Sequence, residues 1–190
     1  MVPDYPYLGL SLSNNLSWQN HINTITAKAN RMLGLVRRNL RGSARKLREQ
    51  AYISLVRPHL EYCSVVWNPY TKKSISKVEN IQRQAARFVT NNYRRRESVT
   101  AMLRDLQWTS LESRRQAASL ILMYRIHHHQ IAINPDHYLT PMVQSSTRSY
   151  HPLKYQAIQS RIQLYRYSFF PRTRQLVEQP PWRCPRPANS

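Results

Sequence analysis

Tyr7-Leu8-Gly9-Leu10-Ser11-Leu12, followed by Leu16-Ser17-Trp18-Gln19-Asn20-His21-Ile22, reads as a short strand that polar residues turn into a long basic helix. Leu8, Leu10 and Leu12 alternate with Gly9 and Ser11 at the period of a half-buried strand. A glycine inside such a pattern marks a bulge, plain packing, or the close approach of another backbone or ligand. Ser17 is a suitable N-cap for a helix running to about Leu40, in which Ile22, Ile25, Ala29, Met32, Leu33 and Val36 recur at helical spacing. Similar apolar spacing continues through much of the first 130 residues, and the chain has only three glycines. The expected fold is therefore mainly α: a helical bundle preceded by a short β-strand, with a poorly ordered Pro/Arg-rich C-terminal tail.

Working outward, Gly42 ends the first helix and Ser43 can cap a second through Leu47, Ala51, Leu55 and Val56. Pro58 is expected to kink or interrupt it before the apolar run from Leu60 to Trp67, and Asn68-Pro69-Tyr70 is a stop. Ser74 to Val89 predicts a third helix with Ile75, Val78, Ile81, Ala85 and Phe88 on one stripe, closed by Asn91-Asn92. A short fourth helix is expected around Ser98 to Leu106. Thr109 and Glu112 have capping-box spacing before a fifth helix to about His129, with Leu111, Ala117, Ala118, Leu120, Ile121 and Tyr124 as its apolar residues. After Ile133-Asn134-Pro135 no period is sustained, which predicts little regular structure.

The chain has 29 Lys and Arg against 9 Asp and Glu, a formal net charge of +20. A field of that sign attracts polyanions, so nucleic acid is the leading partner, with anionic membrane surfaces and acidic proteins also compatible with the charge. No apolar run approaches the roughly 18 residues of a membrane span, and Met1-Val2-Pro3-Asp4-Tyr5 lacks the pattern of a signal peptide. The chain is expected inside the cell, in nucleus or cytoplasm. Cys63 and Cys184 lie far apart with no metal spacing, as free thiols in a reducing compartment would.

Several ordered blocks carry a family resemblance. Tyr7-Leu8-Gly9, Leu16-Ser17-Trp18, Tyr52-Ile53-Ser54-Leu55-Val56-Arg57-Pro58-His59-Leu60-Glu61-Tyr62-Cys63 and Val66-Trp67-Asn68-Pro69 come first. Val78-Glu79-Asn80-Ile81-Gln82-Arg83-Gln84-Ala85-Ala86-Arg87-Phe88-Val89, Leu106-Gln107-Trp108, Leu111-Glu112-Ser113-Arg114-Arg115 and Ser168-Phe169-Phe170-Pro171-Arg172-Thr173 follow. From about Tyr7 to Thr173 the chain resembles the part of LINE-type (non-LTR, jockey-like) retrotransposon reverse transcriptases that follows the catalytic palm. The resemblance implies a primer-grip strand at Tyr7, Leu8 and Gly9, then a thumb and a C-terminal helical extension that hold template and primer. It divides the chain into a primer-grip remnant (1–16), a helical thumb-like domain (17–130), an irregular C-terminal extension (131–173) and a disordered tail (174–190).

The family's catalytic motif, which ends in paired aspartates, belongs before Tyr7, and no two acidic residues are neighbours in this sequence. Polymerase chemistry needs closely placed carboxylates to hold two magnesium ions. The expectation is thus a fragment without catalytic residues or cofactor, from a parent enzyme that would use Mg. The tail also departs from the family, reading Arg174-Gln175-Leu176-Val177-Glu178-Gln179-Pro180-Pro181-Trp182. Permitted codons for Thr173 to Trp182, shifted by one base, spell Asn-Trp-Trp-Asn-Asn-Leu-Pro, close to the family's continuation. The coding DNA tests this frameshift directly.

Binding candidates are the basic positions. Lys28, Arg31 and Arg38 share a face of the first helix, and Arg41, Arg45, Lys46 and Arg48 continue it across Gly42. Arg83, Arg87, Arg94, Arg95 and Arg96 form a second cluster. Long cationic side chains on a helix face can contact successive phosphates of RNA, DNA or a hybrid, or can simply be solvated. Of the aromatics, Trp18, Tyr52, Tyr62, Trp67, Phe88, Trp108 and Tyr124 are expected mostly in the core, and Tyr7 and Tyr93 are the candidates for base stacking. His127-His128-His129 and His137 make no metal set, because consecutive helical residues point in different directions. An alternative is a helical interaction module that docks a palm domain or itself through Trp18, Leu33, Leu55 and Trp67; a further one is a pseudogene product without function.

Overall fold

A computed structural model describes residues 4–94, 96–141, 155–156 and 158–178. The chain is mainly helical and falls into two compact units, Met1–Arg115 and Gln116–Ser190. The first begins with a hairpin, β1 (Asp4–Tyr7) paired antiparallel with β2 (Leu10–Ser13). The expected single strand from Tyr7 to Leu12 is thus corrected: Leu8 and Gly9 are its turn, with φ of +44° and +80°. Two positive φ values are what a tight hairpin turn demands. Leu10 is buried and Leu8 is 72% exposed. The Tyr62 ring covers the turn, 3.3 Å from where a Gly9 Cβ would sit, and its hydroxyl donates to the Leu8 carbonyl at 3.0 Å. Of the readings open for Gly9, the structure shows packing, by the chain's own Tyr62.

Helix α1 (Gln19–Asn39) buries Ile22, Ile25, Ala29, Leu33 and Val36, the stripe expected from the spacing except for Met32, which is half-buried at its edge. Its start lies two residues inside the expected cap, although Ser17 Oγ still accepts from the Gln19 N–H at 3.3 Å. α2 (Arg45–Ala51) runs through a π-turn (Tyr52–Val56) into α3 (Arg57–Glu61). The Arg57 N–H donates five residues back, to the Tyr52 carbonyl. Pro58 therefore does not interrupt the helix; the widened turn accommodates it in the first turn of α3. The break comes at Tyr62 and Cys63, where Cys63 has φ +48°, before the short α4 (Ser64–Trp67).

α5 (Lys72–Thr90) is capped by Thr71, whose hydroxyl accepts from the Ser74 N–H, and closed by Asn91 in the left-handed region. Ser74 Oγ to Gln19 Oε1 at 3.1 Å, Lys77 Nζ to Asn23 Oδ1 at 2.5 Å and Arg37 Nη2 to the Gln84 carbonyl at 2.9 Å show α1 and α5 side by side and parallel. α2 lies antiparallel on α5: Arg48 Nη1 donates to the Phe88 carbonyl at 2.9 Å, and the Tyr52 hydroxyl faces Gln82 Oε1 at 3.3 Å. The buried Gln82 amide also donates to the Thr109 carbonyl at 2.8 Å. Trp108 stacks on Tyr52 at 4.5 Å, and Trp67 is fully buried with its indole N–H on the Tyr62 carbonyl.

α6 (Val99–Asp105) and α7 (Leu111–His127) complete the series through residue 127, and the division between the units falls within α7. The cap of α7 is Ser110, not Thr109: Ser110 Oγ accepts from the Ser113 N–H at 3.0 Å, and Glu79 Oε1 accepts from the Glu112 N–H at 2.7 Å. α7 buries Leu111, Arg115, Ser119, Met123 and Ile126, whereas Ile121 and Tyr124 are exposed, so its stripe is rotated from the expected one. In the second unit, α8 (Gln163–Arg166) and α9 (Phe169–Glu178) stand where irregular chain was expected. Tyr138 stacks on Phe170 at 4.4 Å, and Arg174 donates to the Tyr155 carbonyl at 3.0 and 3.1 Å. Helix therefore continues past 174, where the tail was expected to begin; residues 179–190, including Cys184, lie outside the described residues.

His21 is buried between Trp18 and Trp67, with Nδ1 accepting from the Ser11 N–H at 3.3 Å and Nε2 without a hydrogen-bond partner among the described residues. Burial, helped by the charge of Lys28, holds its pKa below the usual histidine value. The unfolded chain then binds the extra proton first, so stability is complete above about pH 6.5 and is lost as pH falls through the lowered folded value. Melting between about pH 7 and pH 5 should show a steeper loss for the wild type than for His21→Phe; parallel curves would place the titration elsewhere. The register of α1 predicts that Leu33→Ala costs about 2–5 kcal/mol in chemical denaturation, whereas Leu35→Ala, on the opposite face, changes stability by about 0.5 kcal/mol or less.

Candidate nucleic-acid interface

Burying one stripe of α1 on α5 leaves the opposite stripe to solvent, and that stripe is cationic. Lys28, Arg31 and Arg38 are exposed and line one open groove of about 720 Å³ together with Asn30, Met32, Gly34, Leu35 and His59. The three cations grouped from the sequence are thus brought together by the fold. His59 was missed, because it comes from α3 and no period within one helix connects it to α1. Its half-buried position beside the cations adds an imidazole to the groove.

Other members of this cluster separate. Arg41, Arg45 and Lys46 are exposed, but Arg45 is paired with Asp105. Arg48 turns inward, bonded to the Phe88 carbonyl with its guanidinium 5.7 Å from the Phe88 ring centroid. It is a core residue that ties α2 to α5, and its removal from the basic surface corrects the expectation. In the second cluster Arg83, Arg94 and Arg96 are exposed, whereas Arg87 Nη1 donates to the Arg94 carbonyl at 3.3 Å and so braces the loop after α5. Arg95 lies outside the described residues.

Acidic residues reinforce this segregation of charge. The chain has no Asp or Glu between Asp4 and Glu49. Hydrogen bonds from Ser13 and Asn20 hold the Asp4 carboxyl below the usual range. Glu49 accepts from the Trp108 indole at 2.9 Å, Glu61 pairs with Arg114 and Arg57, and Glu79 caps α7. These carboxylates join elements of the fold, and none of the described residues that line the α1 groove is acidic.

Tyr7 and Tyr93 are 55% and 57% exposed, accessible for stacking, but Tyr62 and Tyr124 are equally exposed and do not belong to the core as expected. Tyr7, Leu8 and Gly9, expected to be a primer grip, form the exposed end of the hairpin. Leu33 and Trp67 are buried and Trp18 is half-buried, so of the four residues named for an apolar docking face only Leu55 is well exposed. His127 Nδ1 bonds the Tyr155 hydroxyl, burial pulls its pKa down, and among the described residues no group of three His, Cys, Asp or Glu could hold a metal. No described helix is long and apolar enough to cross a membrane. No family model matches the chain, and no curated protein and no solved structure matches it.

Proposed function

We propose that the chain is a nucleic-acid-binding helical module, the post-palm part of a LINE-type reverse transcriptase, which grips template and primer through their phosphates. In this reading it performs no catalysis itself; metal-bound carboxylates on the palm do the chemistry. The observation that carries the binding part is the groove in which Lys28, Arg31 and Arg38 converge on the acid-free side of α1. The polymerase part is supported by the ordered sequence blocks, above all Tyr52 to Cys63 and Val78 to Val89. Those blocks supply both partners of the Tyr52–Gln82 contact at the centre of the first unit, and the second supplies the Phe88 carbonyl to which Arg48 donates.

Phosphate contacts release counterions, so affinity should fall steeply with salt. Binding of the full chain to a short RNA–DNA hybrid across a salt series is compared with the Lys28→Glu/Arg31→Glu/Arg38→Glu variant. The log–log slope should flatten by about 2–3, since each lost phosphate contact removes roughly 0.7–0.9. An unchanged slope would remove this groove from the interface, and equal affinity of the wild type for any polyanion would remove template-primer recognition.

A further inference from the structure

Gly34 lies in the middle of α1, half-buried, among the groove residues Arg31, Leu35, Arg38 and His59. Nothing in the fold calls for glycine there. Its φ is not positive, and a Cβ built on it would meet Arg38 Nη1 at 3.8 Å, an ordinary van der Waals contact. Alanine would fit and would make a stronger helix. Glycine thus weakens α1 without relieving any clash among the described residues, and the space it keeps open faces the groove.

The neighbours indicate what uses that space. Arg31 lies one turn before Gly34 and Arg38 one turn after, about 10 Å apart along the axis at 1.5 Å per residue. Leu35, 45% exposed, provides an apolar contact beside them. A nucleic-acid strand presents this chemistry in the same order: phosphate, apolar sugar face, phosphate. We infer that Gly34 is the point at which a sugar–phosphate backbone crosses α1 in van der Waals contact with the helix main chain, held on either side by Arg31 and Arg38. This inference rests on the nucleic-acid-binding reading and adds to it a steric contact that charge alone does not require.

The test compares wild type, Gly34→Ala, Gly34→Leu and the triple charge-reversal variant on the same RNA–DNA hybrid, with thermal melting of each. Gly34→Ala should melt about 2–4 °C higher and yet bind more weakly. Gly34→Leu should bind at least about tenfold more weakly, the usual penalty for forcing methylenes into a filled contact. Both should keep the wild-type salt slope, because the cations remain. If Gly34→Leu melts below the wild type, the alanine variant decides: a loss of about threefold, roughly half the tenfold step on a logarithmic scale, supports the crossing, and unchanged affinity overturns it. Wild-type affinity in both glycine variants, with binding lost in the charge reversal, overturns the crossing and leaves the binding function standing. Wild-type affinity in all three variants overturns both.

Discussion

The parallel packing of α1 on α5 is the constraint from which the charge distribution of the first unit follows. A helix that buries Ile22, Ile25, Ala29, Leu33 and Val36 has no freedom over what it shows to solvent, since each residue advances about 100° around the axis. Arg31 and Arg38 fall roughly opposite that stripe and Lys28 to one side of it, so the core that stabilises the helix also sets where the cations lie. The position of α1 is fixed at three heights by Ser74–Gln19, Lys77–Asn23 and Arg37–Gln84. Rotation of the helix would bury cations and expose five apolar side chains, which sets the basic face as firmly as the core itself.

Charge is segregated by the same economy. Few carboxylates are present, and Asp4, Glu49, Glu61 and Glu79 each accept from a residue of another element. A carboxylate that accepts indole or backbone N–H groups at a partly buried joint contributes more than an exposed surface pair such as Arg45–Asp105. Acids placed at the joints cannot neutralise the outer face of α1. The inward Arg48 is the complementary case, a cation used as a structural donor because the Phe88 carbonyl and ring beside it offer a bond and a face.

What the sequence made legible was whatever one element decides alone. The stripes of α1 and α5, the Asn91 closure and the convergence of Lys28, Arg31 and Arg38 all follow from helical period and local caps. The features missed are decided between elements. Arg48 resembles its solvated neighbours until Phe88 is set beside it. Thr109 has the capping-box spacing, but its carbonyl is engaged by Gln82, and Ser110 takes the cap. Gly9 looked like a strand interior because β1, which makes it a hairpin turn, contains Pro6 and alternating tyrosines rather than aliphatic residues. α9 was hidden by Pro171 in its first turn, where proline is tolerated.

The π-turn before Pro58 links these two levels. Arg48, Tyr52, Val56 and Leu60 are all buried, at spacings of four residues each. In an uninterrupted α-helix, twelve residues accumulate 1200°, which would rotate Leu60 about 120° away from Arg48. One widened turn, closed by the Arg57 N–H on the Tyr52 carbonyl, absorbs most of that drift and keeps all four on the core side. The residue before Leu60 is His59, and the same correction seats it at the edge of the α1 groove. Pro58, which lacks the N–H that a regular α-turn would require, is compatible with this widening, so the residue that seemed to break the helix belongs to the turn that holds it in register.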